Sequence, residues 1–479
     1  MQEKLSWQNK NMKKYFEKKD WWIKIKGKFM ENNADEIKYV GVISLGCDKN
    51  RVDTEHMLTY LSDGGYCFTS DPSKANIIII NTCGFIANAR KESMDTILEM
   101  AEYKKLGTCE KLVVTGCMPQ KWLGEMRKEL PEVDVFMGTN EYPNIVKILD
   151  KAYKTNERVI ETGGDERETF VKNRVITTPK HYAYLKIADG CDNFCTFCTI
   201  PFIRGRYRSR DMKELLLEAK NLVDGGATEL ILVAQDVTRY GSDLSSDKKS
   251  KLVELIRELS KIKKLKRIRL LYCYPELVTD ELLNEMMENP KLCNYLDIPF
   301  QHVSDGILKR MNRKIDKAGT IALIEKIKKL PQFVAIRTTF MIGFPGETDE
   351  DFEELYNFIK DYPMLHVGFF AYSKEDGTPA AGFPNQVPEK IKQKRLVKLV
   401  KLQRSVIKKL NKQFVGQTLE VCYEGIDYKK AKFFGRSEYQ SPEIDSLVYF
   451  KSKERLELGE YYKIKIKKVN EYDLIGEKE

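Results

Sequence analysis

The sequence predicts an α/β fold with two parallel sheets, followed by a small antiparallel β-barrel. Three observations predict it. Apolar, β-branched runs alternate with helical stretches over residues 38–150, the same alternation resumes over 181–385, and residues 413–479 carry short alternating segments separated by glycines. Parallel strands need helical crossovers, whereas short segments joined by tight turns pair as antiparallel neighbours. The chain is therefore expected to hold an N-terminal parallel α/β domain, a partial (βα)6 barrel and a C-terminal antiparallel barrel.

Composition excludes several classes of protein. The 479 residues are 42% hydrophobic and 32% charged, which is typical of a globular chain with several domains. No apolar run approaches the roughly 18–20 residues that span a bilayer, and the basic N-terminus lacks the apolar segment of a signal peptide. We therefore expect a cytoplasmic protein with no membrane partner. In that reducing compartment the eleven cysteines favour metal binding over disulfides.

The net charge of +10 is compatible with a nucleic-acid or ribonucleoprotein partner, but charge alone favours a lysine-rich globular protein without one. Shifts in composition predict the domain boundaries. They are a basic N-terminal extension at 1–37 with no expected catalytic role, an N-terminal domain at 38–150, a linker at 151–180, a barrel at 181–412 and a small β-barrel at 413–479.

Three cysteines of the N-terminal domain follow predicted strands. Strands are predicted at Tyr39–Ser44, Ile77–Asn81 and Lys111–Gly116, and each ends in a turn that contains a cysteine. The three are Cys47, Cys83 and Cys117. Since the carboxyl ends of parallel strands lie side by side, their thiolates are expected to converge on one sheet edge. Three unrelated buried cysteines are the alternative, since free cysteine is a common core residue.

The second α/β segment contains six candidate strands with helices between them. The strands are Ala183–Ala188, Glu229–Ala234, Arg267–Tyr272, Tyr295–Pro299, Ala335–Ile342 and His366–Ala371. This pattern predicts a full or partial parallel barrel, whose active site lies at the carboxyl ends of the strands.

A dense cysteine run follows the first of these strands. Cys191, Cys195 and Cys198 form a Cys-x₃-Cys-x₂-Cys pattern with no local fourth ligand. A [4Fe–4S] cube held by three thiolates keeps one iron open for chemistry, whereas a structural zinc site closes all four positions. The alternatives are a zinc site with a distant fourth ligand and a chance cluster.

Polar or small residues end three other strands of this segment. They are Gln235 and Asp236, then Gln301, then Gly343, Pro345, Gly346 and Glu347. Such residues at one barrel rim predict a cofactor pocket, although ordinary strand-to-helix turns are the simpler explanation for each alone. The alternating Arg204, Arg206, Arg208 and Arg210 are either a surface for a phosphate-bearing partner or a solvated loop. The other five cysteines are expected in cores; they are Cys67, Cys109, Cys273, Cys293 and Cys422.

These residues resemble the radical S-adenosylmethionine (SAM) methylthiotransferases. The resemblance covers most of residues 39–479 and is carried by Ser44–Asn50, Asn81–Phe85, Gly116-Cys117, the Cys191 run with Phe197 and Ile200-Pro201, Arg204-Gly205 and Gly343–Glu347. It implies a [4Fe–4S] cluster on each cysteine trio and a C-terminal TRAM domain. It also implies SAM as methyl donor and radical source, bound near Phe197 and the polar strand ends. A sulfur donor and a flavodoxin- or ferredoxin-like electron donor are implied as partners.

The family divides by substrate. Val233–Gly241, Gly435–Asp445 and Tyr472–Gly476 resemble the branch that methylthiolates the β-carbon of an aspartate in small-subunit ribosomal protein twelve. From Val415 to Glu479 the chain has twelve Lys or Arg and thirteen Asp or Glu, whereas a module that grips RNA should be clearly basic. A transfer-RNA adenosine methylthiotransferase is the alternative within the family. A non-catalytic RNA-binding protein with structural metal sites is the alternative outside it.

Overall fold

The computed structural model describes residues 38–155, 157–164 and 174–479, and the chain divides into two compact units. The first unit runs to Thr177 and also takes in Phe202–Arg204. The second comprises Thr178–Pro201 and Gly205–Glu479. The predicted N-terminal extension at 1–37 lies outside the described residues.

The first unit is a six-stranded parallel sheet with helices on both faces, in the strand order β2-β1-β3-β4-β5-β6. Its strands are β1 Tyr39–Ser44, β2 Cys67–Phe68, β3 Ile77–Thr82, β4 Lys111–Gly116, β5 Val135–Met137 and β6 Val159–Glu161. Its helices are α1 Asp48–Asp63, α2 Ala87–Ala101, α3 Tyr103–Leu106, α4 Cys117–Glu129 and α5 Ile145–Thr155.

The isoleucine run of β3 shows why this sheet is buried on both faces. Ile77 and Ile79 belong to one hydrophobic core, Ile78 and Ile80 to another, and all four are fully buried. A strand covered on both sides has no polar face, so it is a continuous β-branched run. The register sets Ser44 beside Asn81 and Thr82 beside Gly116, so the carboxyl ends of β1, β3 and β4 are level.

The linker predicted at 151–180 begins later than expected. Helix α5 continues to Thr155, and β6 at Val159–Glu161 pairs with β5 as the last strand of the sheet. Residues 151–161 therefore belong to the first unit. The prediction missed them because a strand of three residues is too short to show a period.

The second unit begins with an open parallel sheet of six strands in the order β14-β13-β12-β11-β10-β7. Its strands are β7 Tyr182–Lys186, β10 Glu229–Val233, β11 Arg267–Leu270, β12 Leu292–Asp297, β13 Ala335–Ile342 and β14 His366–Ala371, and β8 Ala188–Asp189 pairs with β9 Arg208–Ser209 as a separate ribbon. Helix α6 Ile200–Arg204 is divided, because Phe202–Arg204 belongs to the first unit. The helices of the second unit are α7 Met212–Asp224, α8 Leu252–Ser260, α9 Asp280–Glu288, α10 Asp305–Arg310, α11 Lys317–Lys328, α12 Asp349–Asp361 and α13 Glu389–Asn411. The expected α/β class is confirmed.

A closed five-stranded barrel ends the chain, in the order β15-β16-β17-β19-β18. Its strands are β15 Thr418–Asp427, β16 Lys432–Arg436, β17 Val448–Lys451, β18 Tyr461–Asn470 and β19 Asp473–Lys478. Four pairings are antiparallel, but β17 and β19 pair in parallel. The expected barrel is present, and this parallel pair closes it.

A buried ion network joins this barrel to the parallel sheet within the second unit. Glu229 on β10 accepts from Arg269 at 2.7 Å and from Arg436 at 2.9 Å, and all three side chains are at most 1% exposed. Burial alone would raise the pKa of Glu229, but the two guanidinium groups lower it overall. Removing one partner would leave a buried charge uncompensated, which is strongly destabilising. This network therefore holds the C-terminal barrel against the parallel sheet.

Within the residues that the structure describes, none of the helices combines the length and the apolar character needed to cross a bilayer.

Candidate functional site

The first cysteine trio lies at the level carboxyl ends of β1, β3 and β4. Cys47 is the residue before α1, Cys83 follows β3, and Cys117 is the first residue of α4. Their accessibility is graded, with Cys47 exposed, Cys83 intermediate and Cys117 buried. The predicted sheet edge therefore carries all three thiols.

The loops that carry these cysteines touch one another. A Cβ on Gly46 would lie 3.3 Å from the Cys83 Sγ atom, and one on Gly84 would lie 3.0 Å from the Cys117 carbonyl oxygen. Burial, with a smaller contribution from the neighbouring Cys117 and Cys47, raises the pKa of Cys83 to about 12. The thiols are close enough to repel one another as thiolates, so a bound cation is needed to deprotonate them together.

Asn50 ties the three loops together. Its Nδ2 atom donates to the carbonyl oxygens of Leu45, at 3.1 Å, and Thr82, at 3.0 Å, which lie before Cys47 and Cys83. Its Oδ1 atom lies 3.5 Å from the Sγ atom of Cys117. One fully buried amide therefore sets the relative positions of all three ligand loops.

Arg204 brings a positive charge to the same edge. Its guanidinium donates to Asp53 at 2.8 Å and to Asn50 Oδ1 at 2.5 Å, and one of its nitrogens lies 3.8 Å from Cys117 Sγ. The side chain is only 2% exposed. A buried cation beside a thiolate favours the anionic form, and the N-termini of α1 and α4 add the positive ends of two helix dipoles.

A third group of potential metal ligands lies outside both trios. Ligand atoms of His181, Cys422 and Glu424 lie within 4.8 Å of one another. Glu424 is already ion-paired with Arg436 at 2.6 Å, which disfavours a metal cation there.

The second trio occupies one loop of the second unit. The ribbon of β8 and β9 closes the base of this loop, and the Cys191 amide donates to the Gly205 carbonyl at 3.2 Å. Gly190 has a φ of +78°, and a Cβ there would lie 2.1 Å from the Arg206 carbonyl oxygen. The chain can turn into the loop only with glycine at this position.

The far side of the loop is held by the turn after α10. Asn312 Nδ2 donates to the carbonyl oxygens of Asn193, at 3.2 Å, and Phe194, at 3.0 Å. The Thr196 amide donates to the Met311 carbonyl at 3.1 Å. The cysteine loop is therefore pinned at both ends and in its middle.

Two residues that the sequence analysis missed surround Cys195. The Tyr274 hydroxyl lies 3.0 Å from the Cys195 Sγ atom, and an Arg313 nitrogen lies 3.8 Å from it. The Arg313 guanidinium also stacks over the Tyr274 ring at 4.2 Å. Tyr274 lies just beyond the end of β11, so strand-end position was its available signal. Arg313 is in an irregular segment, so no feature of the sequence indicated its role.

Two predicted cofactor residues carry buried polar atoms without a hydrogen-bond partner among the described residues. The Oε1 atoms of Gln235 and Gln301 accept no hydrogen bond from the part of the chain that the structure describes. An unsatisfied buried acceptor costs about 1–3 kcal/mol, so a ligand donor at these strand ends would be stabilising. The amino group of SAM is such a donor, and these two residues therefore fit the expected cofactor.

Two other predicted residues are fully engaged by the protein itself. Asp236 accepts from Asn193 at 3.2 Å and from Thr238 at 2.5 Å. Glu347 accepts from the Gly343 amide at 2.6 Å and from Arg395 at 2.5 Å. These contacts favour a role in positioning the loops over direct contact with a cofactor.

The glycines of the Gly343–Glu347 turn have a different explanation from the one expected. A Cβ on Gly343 would lie 2.3 Å from Lys392 Cγ, and one on Gly346 would lie 2.5 Å from an Arg310 nitrogen. Their φ angles are +74° and +81°. The two glycines therefore leave room for side chains of the protein itself. The close approach of a ligand is not needed to explain why glycine occupies these positions.

Aromatic packing connects this turn to the cysteine loop. The Phe197 ring lies edge-on to Phe344 at 6.5 Å, within a small core that includes Tyr372 and Met341. Pro345 is buried in the same turn. Phe197 and the Gly343–Glu347 segment are therefore brought together as the sequence predicted.

The alternating arginines divide into two kinds. Arg210 is buried, donates to the Lys186 carbonyl at 3.0 Å and pairs with Glu218 at 2.8 Å. Arg206 is 73% exposed and lies over the Phe194 ring. With Arg204 buried as well, the four arginines form neither a continuous surface for a phosphate-bearing partner nor a fully solvated loop. The cysteines expected in cores are buried except Cys67, which is partly exposed.

Comparison with known proteins gives three domain matches. Residues 39–138 match the model described as uncharacterized protein family UPF0004, residues 185–359 match the radical SAM superfamily, and residues 415–478 match the TRAM domain. The radical SAM match supports an iron–sulfur cluster and SAM as cofactors.

Curated relatives match along nearly the whole chain. A ribosomal protein uS12 methylthiotransferase RimO from Clostridium botulinum (strain Loch Maree / Type A3) is 45% identical over 91% of this chain and 97% of its own. The RimO of Clostridium tetani is 46% identical over 92% and 98%, and that of Desulforamulus reducens is 43% identical over 91% and 99%. The chain belongs to the RimO family. The expected resemblance to radical SAM methylthiotransferases is confirmed.

Solved structures agree with this member of the RimO family at the level of fold. The radical SAM methyltransferase TsrM from Kitasatospora setae, with cobalamin and a [4Fe–4S] cluster bound, has a TM-score of 0.52. It covers 80% of each chain at 13% identity. The structure of OxsB with aqua-cobalamin and SAM bound has a TM-score of 0.50 at 14% identity and covers 78% of this chain and 58% of its own.

Proposed function

We propose that this chain is a radical SAM methylthiotransferase that modifies the β-carbon of an aspartate in ribosomal protein uS12. The observation that carries the proposal is the match to RimO proteins at 43–46% identity over about nine-tenths of the chain. The reaction belongs in the cytoplasm, where ribosomal proteins are made and assembled.

Two [4Fe–4S] clusters are part of the proposal. Cys191, Cys195 and Cys198 would hold the one that binds SAM, and Cys47, Cys83 and Cys117 would hold the auxiliary one. When bound, these cofactors would supply the methyl group, a radical able to remove hydrogen from an unactivated carbon, and the sulfur that is transferred. The open sheet edge, the graded burial of the first trio and the short pinned loop of the second support this assignment.

The protein's own residues provide position and charge. Asn50 positions the loops of the first trio, and Arg204 brings a positive charge beside it. Around Cys195, Tyr274 supplies a hydroxyl contact and Arg313 a positive charge. Gln235 and Gln301 would accept from the SAM amino group through their unpartnered Oε1 atoms. Asp236 and Glu347 keep the surrounding loops in place, so the reacting atoms can be brought together in order.

The C-terminal barrel supports a protein substrate. Its twelve basic and thirteen acidic residues give no net positive field for RNA, whereas a nearly neutral face can dock on a basic ribosomal protein. The transfer-RNA alternative is not favoured, since the relatives quoted above are all named for uS12. A sulfur donor and a flavodoxin- or ferredoxin-like electron donor complete the proposed partners.

The decisive assay uses anaerobically reconstituted enzyme with SAM, sulfide and a reductant. A uS12 peptide containing the aspartate is expected to gain the mass of one methylthio group in place of one hydrogen. An adenosine-containing transfer-RNA anticodon stem, assayed in parallel, is expected to stay unmodified. Modified adenosine with an untouched aspartate would contradict the proposal.

A further inference from the structure

The positive charge of the chain is concentrated in one helix. Residues 389–412, which comprise α13 and the residue after it, contain ten Lys or Arg and a single Glu. That is a net charge of +9 in a chain whose whole net charge is +10. The remaining sequence sums to +1, although residues 1–29 alone carry nine Lys or Arg against three Asp or Glu. Among the described residues, this helix is the main source of long-range attraction to a polyanion.

Part of this charge is used inside the second unit. The buried face of α13 carries Lys392, Arg395, Leu399, Gln403 and Ile407. Lys392 donates to the Tyr372 carbonyl at 2.8 Å, and Arg395 pairs with Glu347 and Asp349. These two cations are structural and cannot meet a partner.

The opposite face carries a row of exposed lysines. Lys394, Lys401 and Lys408 follow one another at intervals of seven residues, so they share one face over about 21 Å. All three are exposed, and none has an acidic partner within 4.0 Å among the residues that the structure describes. By contrast, Lys398 on the flank pairs with Glu353 at 2.7 Å.

The chemistry of this lysine row points to phosphate. Lysines clustered along one helix face are the electrostatic footprint of a nucleic-acid contact, in which each ammonium neutralises a backbone phosphate. A membrane surface would require an apolar face free to insert, but Leu399 and Ile407 are buried in the protein. The exposed apolar residues there, Val397 and Val400, are flanked by lysines.

We propose that the row of Lys394, Lys401 and Lys408 is an RNA-binding surface, which contacts the phosphate backbone that surrounds a ribosomal protein. The choice of RNA among polyanions rests on the proposed function, because the substrate of a uS12-modifying enzyme is a protein of a ribonucleoprotein particle. The nearly neutral barrel and the basic helix then divide the task, one meeting protein and the other RNA.

The test measures RNA binding directly, without methylthiolation. A fluorescent RNA hairpin is titrated with the full-length holoenzyme across a series of salt concentrations. The triple variant K394E/K401E/K408E is expected to bind about tenfold or more weakly and to lose about two from the slope of log affinity against log salt. Methylthiolation of the isolated uS12 peptide is expected to be unchanged, because these lysines are remote in sequence from the cysteines and touch none of the residues of the site.

The matched control makes the same charge change elsewhere. K248E/K263E/K264E replaces three exposed lysines outside α13 and is expected to keep the affinity and slope of the parent. An equal loss of RNA affinity in both variants would show that only net charge matters and would overturn the proposal. Unchanged RNA affinity in the α13 variant would also overturn it. Polyglutamate bound as tightly as RNA would overturn the choice of phosphate. If the unmutated protein does not methylthiolate the uS12 peptide but still binds RNA, the proposed function is contradicted and this surface is not.

Discussion

The two cysteine trios are assembled in opposite ways. Cys47, Cys83 and Cys117 are spread over about seventy residues and meet because three strands of one sheet end at the same level. Cys191, Cys195 and Cys198 lie within eight residues on one loop, which depends on the neighbouring turns that pin it. The first trio is thus as stable as the fold of its unit, whereas the second can be disturbed locally.

Removing one ligand from each trio tests this difference with the largest expected effect. Cys195→Ala is expected to abolish SAM cleavage and methylthiolation, because the loop loses a thiolate of the SAM-binding cluster. Cys83→Ala is expected to keep SAM cleavage and lose sulfur insertion. Each variant should lose about four of about eight irons per chain. The measurements are 5′-deoxyadenosine by chromatography, peptide mass and iron content. Methylthiolation retained by either variant would refute the assignment of its trio.

Replacing one glycine beside each trio gives the next largest effect. A Cβ on Gly116 would lie 2.2 Å from the Asn81 Oδ1 atom, and one on Gly190 would lie 2.1 Å from the Arg206 carbonyl oxygen. Both have positive φ, so alanine is strained at either position. Gly116→Ala is expected to destabilise the whole first unit by a few kcal/mol, whereas Gly190→Ala should reduce cluster loading of the second trio with little change in global unfolding.

The two glycine variants are compared by thermal unfolding and by the visible absorption of each cluster. The absorption of one cluster is measured in protein whose other cysteine trio has been replaced. Gly65→Ala is the control, because its φ is also positive at +85° but no atom lies within 4 Å of its Cβ position. Similar unfolding temperatures for Gly116→Ala and Gly190→Ala would remove the proposed distinction between a trio set by the sheet and one set by its loop.

Replacing the arginine beside each trio separates the effect on stability from the effect on the electronic properties of the cluster. Arg204→Gln leaves the buried Asp53 carboxylate without its partner at 2.8 Å, at a cost of about 3–5 kcal/mol. Arg313 contacts the Pro299 carbonyl at 2.9 Å and Cys195, so Arg313→Gln should cost less, about 1–3 kcal/mol. Both should lower the reduction potential of their own cluster, since a positive charge near the sulfurs stabilises the reduced form.

The readout for the arginines is a redox titration followed by electron paramagnetic resonance. Arg204→Lys keeps the charge and should restore most of the potential of the first cluster while recovering less stability, because it loses the guanidinium contacts to Asp53 and Asn50 Oδ1. If replacing an arginine shifts only the reduction potential of the cluster at the trio that it does not contact, these arginines do not act on the thiolates beside them.

Much of the fold could be predicted because buried parallel strands are distinctive. The strands at Tyr39–Ser44, Lys111–Gly116 and Ala335–Ile342 have the predicted bounds, since each is a β-branched run bounded by turn residues. The strand predicted at Tyr295–Pro299 in fact spans Leu292–Asp297, because Ile298 and Phe300 extend the apolar run beyond the ladder. Strand β6 was too short to detect.

The cysteines of the site could be predicted from spacing and strand ends, but the residues around them could not. Arg204 was singled out in the sequence, but its contact with Cys117 depends on tertiary structure. The contacts of Tyr274 and Arg313 with Cys195 depend on tertiary structure as well, which leaves no pattern along the chain. The glycines of the Gly343–Glu347 turn remain predicted SAM contacts. Their position at a strand end indicated a ligand, and the structure shows that they also make room for Lys392 and Arg310.

Mössbauer spectroscopy of the anaerobically reconstituted, ⁵⁷Fe-labelled protein tests most directly whether both trios hold clusters. We expect two [4Fe–4S] signals with about eight irons per chain, and one remaining signal when Cys191, Cys195 and Cys198 are all replaced by alanine. A single cluster in the parent, or zinc in place of iron at Cys47, Cys83 and Cys117, would contradict the account.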